Sequence, residues 1–69
     1  MYTLERAYEL ADKYAEITEH YVGVHVLRYN FPYTKEIAVD YILVSQVLLE
    51  KKSFKTIEEL IHRLEELTK

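Results

Sequence analysis

The feature that most constrains the fold is the shortness of a chain that has no covalent staple. The sequence has 69 residues and no cysteine, so neither a disulfide nor a thiolate-bound metal can stabilise a small core. A chain of this size removes only roughly 60% of its unfolded surface from water when it folds. We therefore expect a single domain over residues 1–69, with a core that is packed efficiently or shared with a partner.

The first segment has the spacing of an amphipathic helix. Apolar residues recur at three- and four-residue intervals from Leu4 to Tyr21, and the acidic residues fall on the opposite side. Thr3 is the candidate N-cap. The β-branched stretch after Tyr21 would also suit a strand, but a lone strand without a partner is unstable, so we predict a helix over residues 4–29. In the alternative, this helix breaks near Gly23 and the chain has four helices.

Two further helices are predicted after Pro32, which disfavours helix for the residue before it. The second helix is predicted over residues 34–51. The third is predicted over residues 56–68, where Thr56 and Glu59 form a capping box. The predicted fold is therefore all-α, an up-down-up three-helix bundle with short connections.

The predicted second helix is apolar around most of its circumference, which two neighbours in a small bundle do not easily cover. An additional apolar stripe lies outside the two core-facing stripes, and polar residues flank it. The stripe is either buried beneath the first helix or in contact with another chain, and the sequence leaves both interpretations open. The candidate interface consists of Val39, Leu43 and Val47, with Glu36, Asp40 and Glu50 as its rim.

The sequence shows no arrangement of residues that indicates catalysis or a cofactor. Ser45 and Ser53 are the only serines, and neither has a histidine at local spacing to act as a base. Asp12, Glu16 and His20 have the spacing to share a helix face, but a solvated acidic face is the simpler explanation. We therefore predict a non-enzymatic protein with no catalytic residue, metal site or cofactor.

Charge and hydropathy narrow the choice of partner and location. The net charge is −3, whereas proteins that bind nucleic acid are usually basic. No apolar tract reaches the roughly 20 residues needed to span a bilayer, and the first residues lack a signal-peptide pattern. We expect a cytoplasmic protein with no membrane partner. The abundance of Glu and Lys, with little Asn and Gln, is typical of thermophiles.

The predicted function is protein interaction, as a homodimer or as an adaptor for another protein. The alternative is a small DNA-binding regulator of the helix-turn-helix type, in which residues 34–51 open the motif and residues 56–68 form the recognition helix. Acidic residues on that last helix, such as Glu58 and Glu65, would repel phosphates. Nucleic acid is therefore the less favoured partner.

Overall fold

A computed structural model describes residues 2–46 and 50–69 of the chain. The elements are α1 (Leu4–Thr18), β1 (Val22–Phe31), β2 (Glu36–Ser45), β3 (Glu50–Phe54) and α2 (Ile57–Leu67). The strands form one antiparallel sheet in the order β1-β2-β3, and both helices pack against it. The fold is therefore α+β. The predicted all-α three-helix bundle is wrong, and so is its four-helix alternative.

Both helices begin where the sequence predicts. The Thr3 hydroxyl accepts a hydrogen bond from the backbone N–H of Arg6 at 3.1 Å, and the Thr56 hydroxyl accepts one from Glu59 at 3.2 Å. Each hydroxyl satisfies a donor in the first turn that has no partner within the helix. The prediction of a helix near residues 56–68 is confirmed by α2.

The predicted first helix over residues 4–29 is too long. α1 ends at Thr18, because Glu19 adopts a left-handed backbone conformation (φ 59°) and donates its N–H to the Ala15 carbonyl oxygen at 2.8 Å. The chain then turns into β1, whose β-branched residues favour a strand. The partner that stabilises this strand is the next segment of the chain, β2.

The predicted second helix over residues 34–51 is instead part of a turn, the whole of β2 and the start of β3. Residues 32–35 close the β1–β2 hairpin, and Lys35, with φ 60°, donates its N–H to the Phe31 carbonyl oxygen at 2.8 Å. β2 is the central strand, and its side chains are buried or half-buried over residues 38–45. Apolar residues occupy both faces of β2, and a run with so little alternation is apolar on every side when it is interpreted as a helix.

The strand register defines two faces of the sheet, because directly opposed residues share a face. The inner face, towards the helices, holds the even-numbered residues of β1 and the odd-numbered residues of β2, and the outer face holds the others. Leu43 is the central core residue of the inner face and is 1% exposed. The buried core residues are Ala7, Leu10, Ala11, Leu43, Phe54, Leu60, Ile61 and Leu64.

The helices cover only one end of the β1–β2 hairpin. Val24 and Tyr41 pack against the core, and residues 26–40 extend beyond it in a molecule of 44 × 27 × 15 Å. We call residues 26–40 the distal hairpin. Its inner-face side chains Val26 and Ile37 are 43% and 59% exposed. The fold therefore joins a packed end, which holds the core, to a hairpin that is open on both faces.

Candidate interaction surface

The three apolar residues of the predicted interface lie in different environments. Leu43 is in the core on the inner face, enclosed by the helices of its own chain. Val39 lies on the same face about 13 Å closer to the turn, because a strand rises about 3.3 Å per residue, and it is half-buried within the distal hairpin. Val47 lies outside the described residues. Val39 and Leu43 would be neighbours on one stripe of a helix, whereas in a strand they lie apart along its length.

Two polar residues of the predicted rim are separated from Leu43 and Val39 by the sheet itself. Glu36 and Asp40 lie on the outer face, opposite Phe31 and Leu27 of β1. The backbone of Glu50 begins β3, and its side chain lies outside the described part of the structure. The four members of the set whose side chains are described therefore lie on both faces of the sheet.

Asp40 is the centre of a polar cluster on the outer face. Its carboxylate accepts a hydrogen bond from the Tyr29 hydroxyl at 3.0 Å and pairs with the Lys55 ammonium at 3.1 Å. The hydrogen bonds from Lys55 and then from Tyr29 lower the pKa of Asp40, and the bonded carboxylate raises the pKa of both partners. The three side chains come from β2, from β1 and from the residue after β3, so the cluster links all three strands. Helical spacing does not bring these residues together, and the sequence interpretation missed the cluster for that reason.

Exposed large apolar side chains are concentrated on the distal hairpin. Of the nine among the described residues, four lie elsewhere (Tyr2, Tyr8, Ile17 and Tyr21) and five lie on the hairpin, namely Val26, Leu27, Phe31, Tyr33 and Ile37. We call these five residues the apolar hairpin patch, which covers both faces of the hairpin: Val26 and Ile37 lie on the inner face, Leu27 and Phe31 on the outer face, and Tyr33 in the turn. Four of them are between 43% and 59% exposed, and Tyr33, in the turn, is fully exposed. Exposed apolar side chains that occur singly need no explanation, but a group on one projecting element is typical of a surface that another molecule covers.

The residues considered for catalysis or metal binding are not brought together. Ser45 is buried on the inner face, whereas Ser53 is exposed on β3. His20 lies beyond the end of α1, so it does not continue the helix face of Asp12 and Glu16. Within residues 2–46 and 50–69, no group of three or more His, Asp or Glu side chains has a geometry that could hold a metal ion.

The helix-turn-helix alternative depends on a helix over residues 34–51. Thr34 and Lys35 lie in the hairpin turn, and the residues that follow form β2. The segment that leads directly into α2 is a strand, β3. The described chain therefore lacks the pair of consecutive helices that such a motif requires at this place.

Comparison of the chain with protein-family models, with curated proteins and with solved structures finds no match. Among the helices of residues 2–46 and 50–69, none has the length and apolar character needed to cross a membrane.

Proposed function

We propose that the chain is a small non-enzymatic protein-interaction domain that binds its partner through the distal hairpin. The observation that carries the proposal is the apolar hairpin patch. Full burial of a Val, Leu, Ile or Phe side chain stabilises by about 1.5–3 kcal/mol, so completing the burial of several half-exposed side chains contributes several kcal/mol. That gain is of the size needed to offset the cost of association.

The division of the molecule into two parts supports the proposal. The core, both helices and the buried Leu43 lie at one end, so the apolar side chains of the patch lie outside the core. The Asp40 cluster links β1 to β2 within the distal hairpin and to the residue after β3. A hairpin held in this way needs little ordering when it binds, which lowers the entropic cost of association.

Sedimentation velocity of fluorescently labelled chain tests the proposal, both alone over a wide concentration range and in an extract of the native cells. We expect the wild type to sediment faster than a monomer in at least one of the two settings. Leu27→Glu and Ile37→Glu each place a carboxylate in the patch and should return the chain to the monomer rate. Gln46→Glu is the matched control, because it adds a carboxylate of similar shape at the opposite end of β2.

Circular dichroism shows whether each variant keeps the secondary structure of the wild type, so that loss of folding is not mistaken for loss of binding. A wild type that sediments as a monomer in both settings would contradict the proposal. Faster sedimentation that both hairpin variants retain would contradict it as well, because the contact would then lie elsewhere on the chain.

A further inference from the structure

The free edge of β1 is the feature that most narrows the choice of partner. Within the described parts of the chain β1 pairs only with β2, and its opposite edge has no strand beside it. The backbone N–H of Gln46 donates to the Tyr21 carbonyl oxygen at 3.1 Å, and this pair continues the β1–β2 register by one step beyond Val22 and Ser45. Because hydrogen-bonded residues alternate along an antiparallel pair, the odd-numbered residues of β1 bond to β2. The even-numbered residues therefore direct their N–H and C=O groups to the open edge.

The two edges of the sheet differ in how they discourage pairing with another strand. Natural edge strands are protected by shortness, by Lys or Pro, or by a bulge. β3 has five residues, two of them Lys51 and Lys52. β1 has ten residues, contains neither Lys nor Pro, and pairs with β2 without a bulge. β1 therefore has weaker protection than β3, with the single charged residue Arg28 in place of the two lysines, although it is the longer of the two edges.

We infer that the partner is a second copy of this chain, which pairs its β1 antiparallel to β1 across a two-fold axis at Val26. This inference names the partner for the proposed function and rests on that function. An antiparallel two-fold pair places even-numbered residues opposite even-numbered residues. With Val26 at the axis, Val24 lies opposite the partner's Arg28 and Val22 opposite the partner's Asn30. This register uses all five outward-facing residues of each strand and forms one six-stranded sheet.

The side chains that this register brings together are complementary on both faces. On the outer face, Gly23 lies opposite the partner's Tyr29 and Tyr21 opposite the partner's Phe31. The hydroxyl of Tyr21 in the same chain already lies over Gly23, 2.5 Å from the place that a Cβ would occupy, so the partner's Tyr29 and Phe31 come beside this tyrosine. On the inner face, the two exposed Val26 side chains lie opposite each other at the axis.

Charge also favours this arrangement over a random encounter. Arg28 is the charged residue on the inner face of the distal hairpin, because Glu36 and Asp40 point to the outer face. In the paired sheet it lies beside the end of the partner that carries α1. That helix holds four acidic and two basic residues, so its net charge is −2. Opposite charges of this kind fix the register and speed the encounter of the two copies.

A single introduced cysteine tests the position of the axis, because the chain has no cysteine of its own. In the inferred dimer the two Val26 Cα atoms lie about 5.5 Å apart, within the range of a disulfide. Under mild oxidation Val26→Cys should therefore cross-link at least about tenfold faster than a thiol brought into contact only by diffusion. Tyr33→Cys is the matched control, because its two copies would lie roughly 40 Å apart.

Removal of one backbone donor tests the pairing itself. Val26→Pro removes an N–H that faces the open edge and leaves the ladder to β2 intact, a place where an edge strand tolerates proline. The dimer loses two hydrogen bonds, and we expect its Kd to rise about 10- to 100-fold by light scattering or sedimentation. Val26→Thr retains both the N–H and the β-branched shape, and its Kd should stay close to that of the wild type.

Three results would overturn the inference: a wild-type chain that is monomeric at every concentration, equal cross-linking of Val26→Cys and Tyr33→Cys, or a folded Val26→Pro variant with unchanged Kd. Should Val26→Pro fail to fold, the cysteine experiment decides alone. A monomer whose hairpin variants still lose a complex in cell extract would refute the self-pairing and leave the proposed function standing.

Discussion

Replacing Leu43 with Ala should be the most informative single test of the fold. In the structure Leu43 lies on the central strand, is 1% exposed and packs among core residues of both helices. Truncation removes its buried apolar atoms and leaves a cavity, which together cost about 2–5 kcal/mol for a core leucine. At roughly 0.05–0.15 kcal/mol per residue, a domain of 69 residues has a free energy of unfolding of only about 3–10 kcal/mol. The substitution should therefore remove a large part of the stability.

The assay is urea unfolding followed by circular dichroism, with the midpoint and slope fitted to a two-state transition. Leu27→Ala is the matched control, because it deletes the same atoms from a leucine that is 49% exposed in the distal hairpin. We expect Leu27→Ala to cost less than about 1 kcal/mol, since most of the transfer and cavity contributions are absent. Thermal unfolding should show the same order, with Tm lowered by about 4–8 °C for each kcal/mol in a domain of this size.

The refuting result is clear because the two variants differ only in where the leucine lies. Both variants are measured at a low protein concentration, so that association does not contribute to the free energy of unfolding. If Leu43→Ala then lowers this free energy no more than Leu27→Ala, Leu43 is not enclosed by its own chain. A helical arrangement with Leu43 on an outer contact stripe would give that result. A large cost confined to Leu43→Ala supports a central strand beneath two helices.

Two further predictions concern the polar groups. Asp40→Asn should lower the free energy of unfolding at neutral pH. Because the pKa of Asp40 is lowered in the folded state, the difference in free energy between variant and wild type should vanish as the pH falls below the ordinary pKa of 3.8 and through the lower folded-state pKa. Urea unfolding between about pH 6 and pH 2 measures this difference. If the free-energy difference instead disappeared near neutral pH, the lowered pKa of Asp40 would be contradicted. In Asp40→Asn the pKa of the Tyr29 hydroxyl, followed by ultraviolet difference spectroscopy, should move closer to its ordinary value of 10.0. Thr56→Ala should cost about 0.5–2 kcal/mol of unfolding free energy through loss of the α2 cap, whereas Thr56→Ser should cost much less; equal losses would show that the hydroxyl does not act as a cap.

The parts of the fold that local chemistry determines could be predicted from the sequence. The starts of both helices follow from Thr3 and Thr56, whose hydroxyls satisfy donors of the first turn wherever the helix then packs. The stripe of Ile57, Leu60, Ile61 and Leu64 in α2 faces the core as its spacing indicates. These features depend on residues within three or four positions of one another, and the sequence shows those positions directly.

The strands could not be assigned in the same way, because each depends on the other. Nearly every residue from Ile37 to Ser45 is apolar, so this segment satisfies a helical and a strand period equally, and only its β-branched residues favour the strand. If residues 37–45 formed a helix, β1 would have no partner, and an isolated strand is unstable, so the sequence of β1 would also favour a helix. The two wrong helix predictions therefore have one cause. The pairing of β1 with β2 joins segments that no local sequence pattern connects.

The same change of secondary structure alters what an apolar surplus in this segment implies for function. On a helix all backbone groups within the element are satisfied, so a contact surface consists of side chains alone, such as the stripe through Leu43. In a sheet Leu43 turns into the core, and the apolar residues that remain exposed flank the hairpin turn. A strand at the edge also offers a row of backbone N–H and C=O groups that a helix does not have. In the proposed dimer the register of the β1 backbone, with Val26 at its centre, selects the partner. The apolar side chains would then strengthen a contact that main-chain pairing defines.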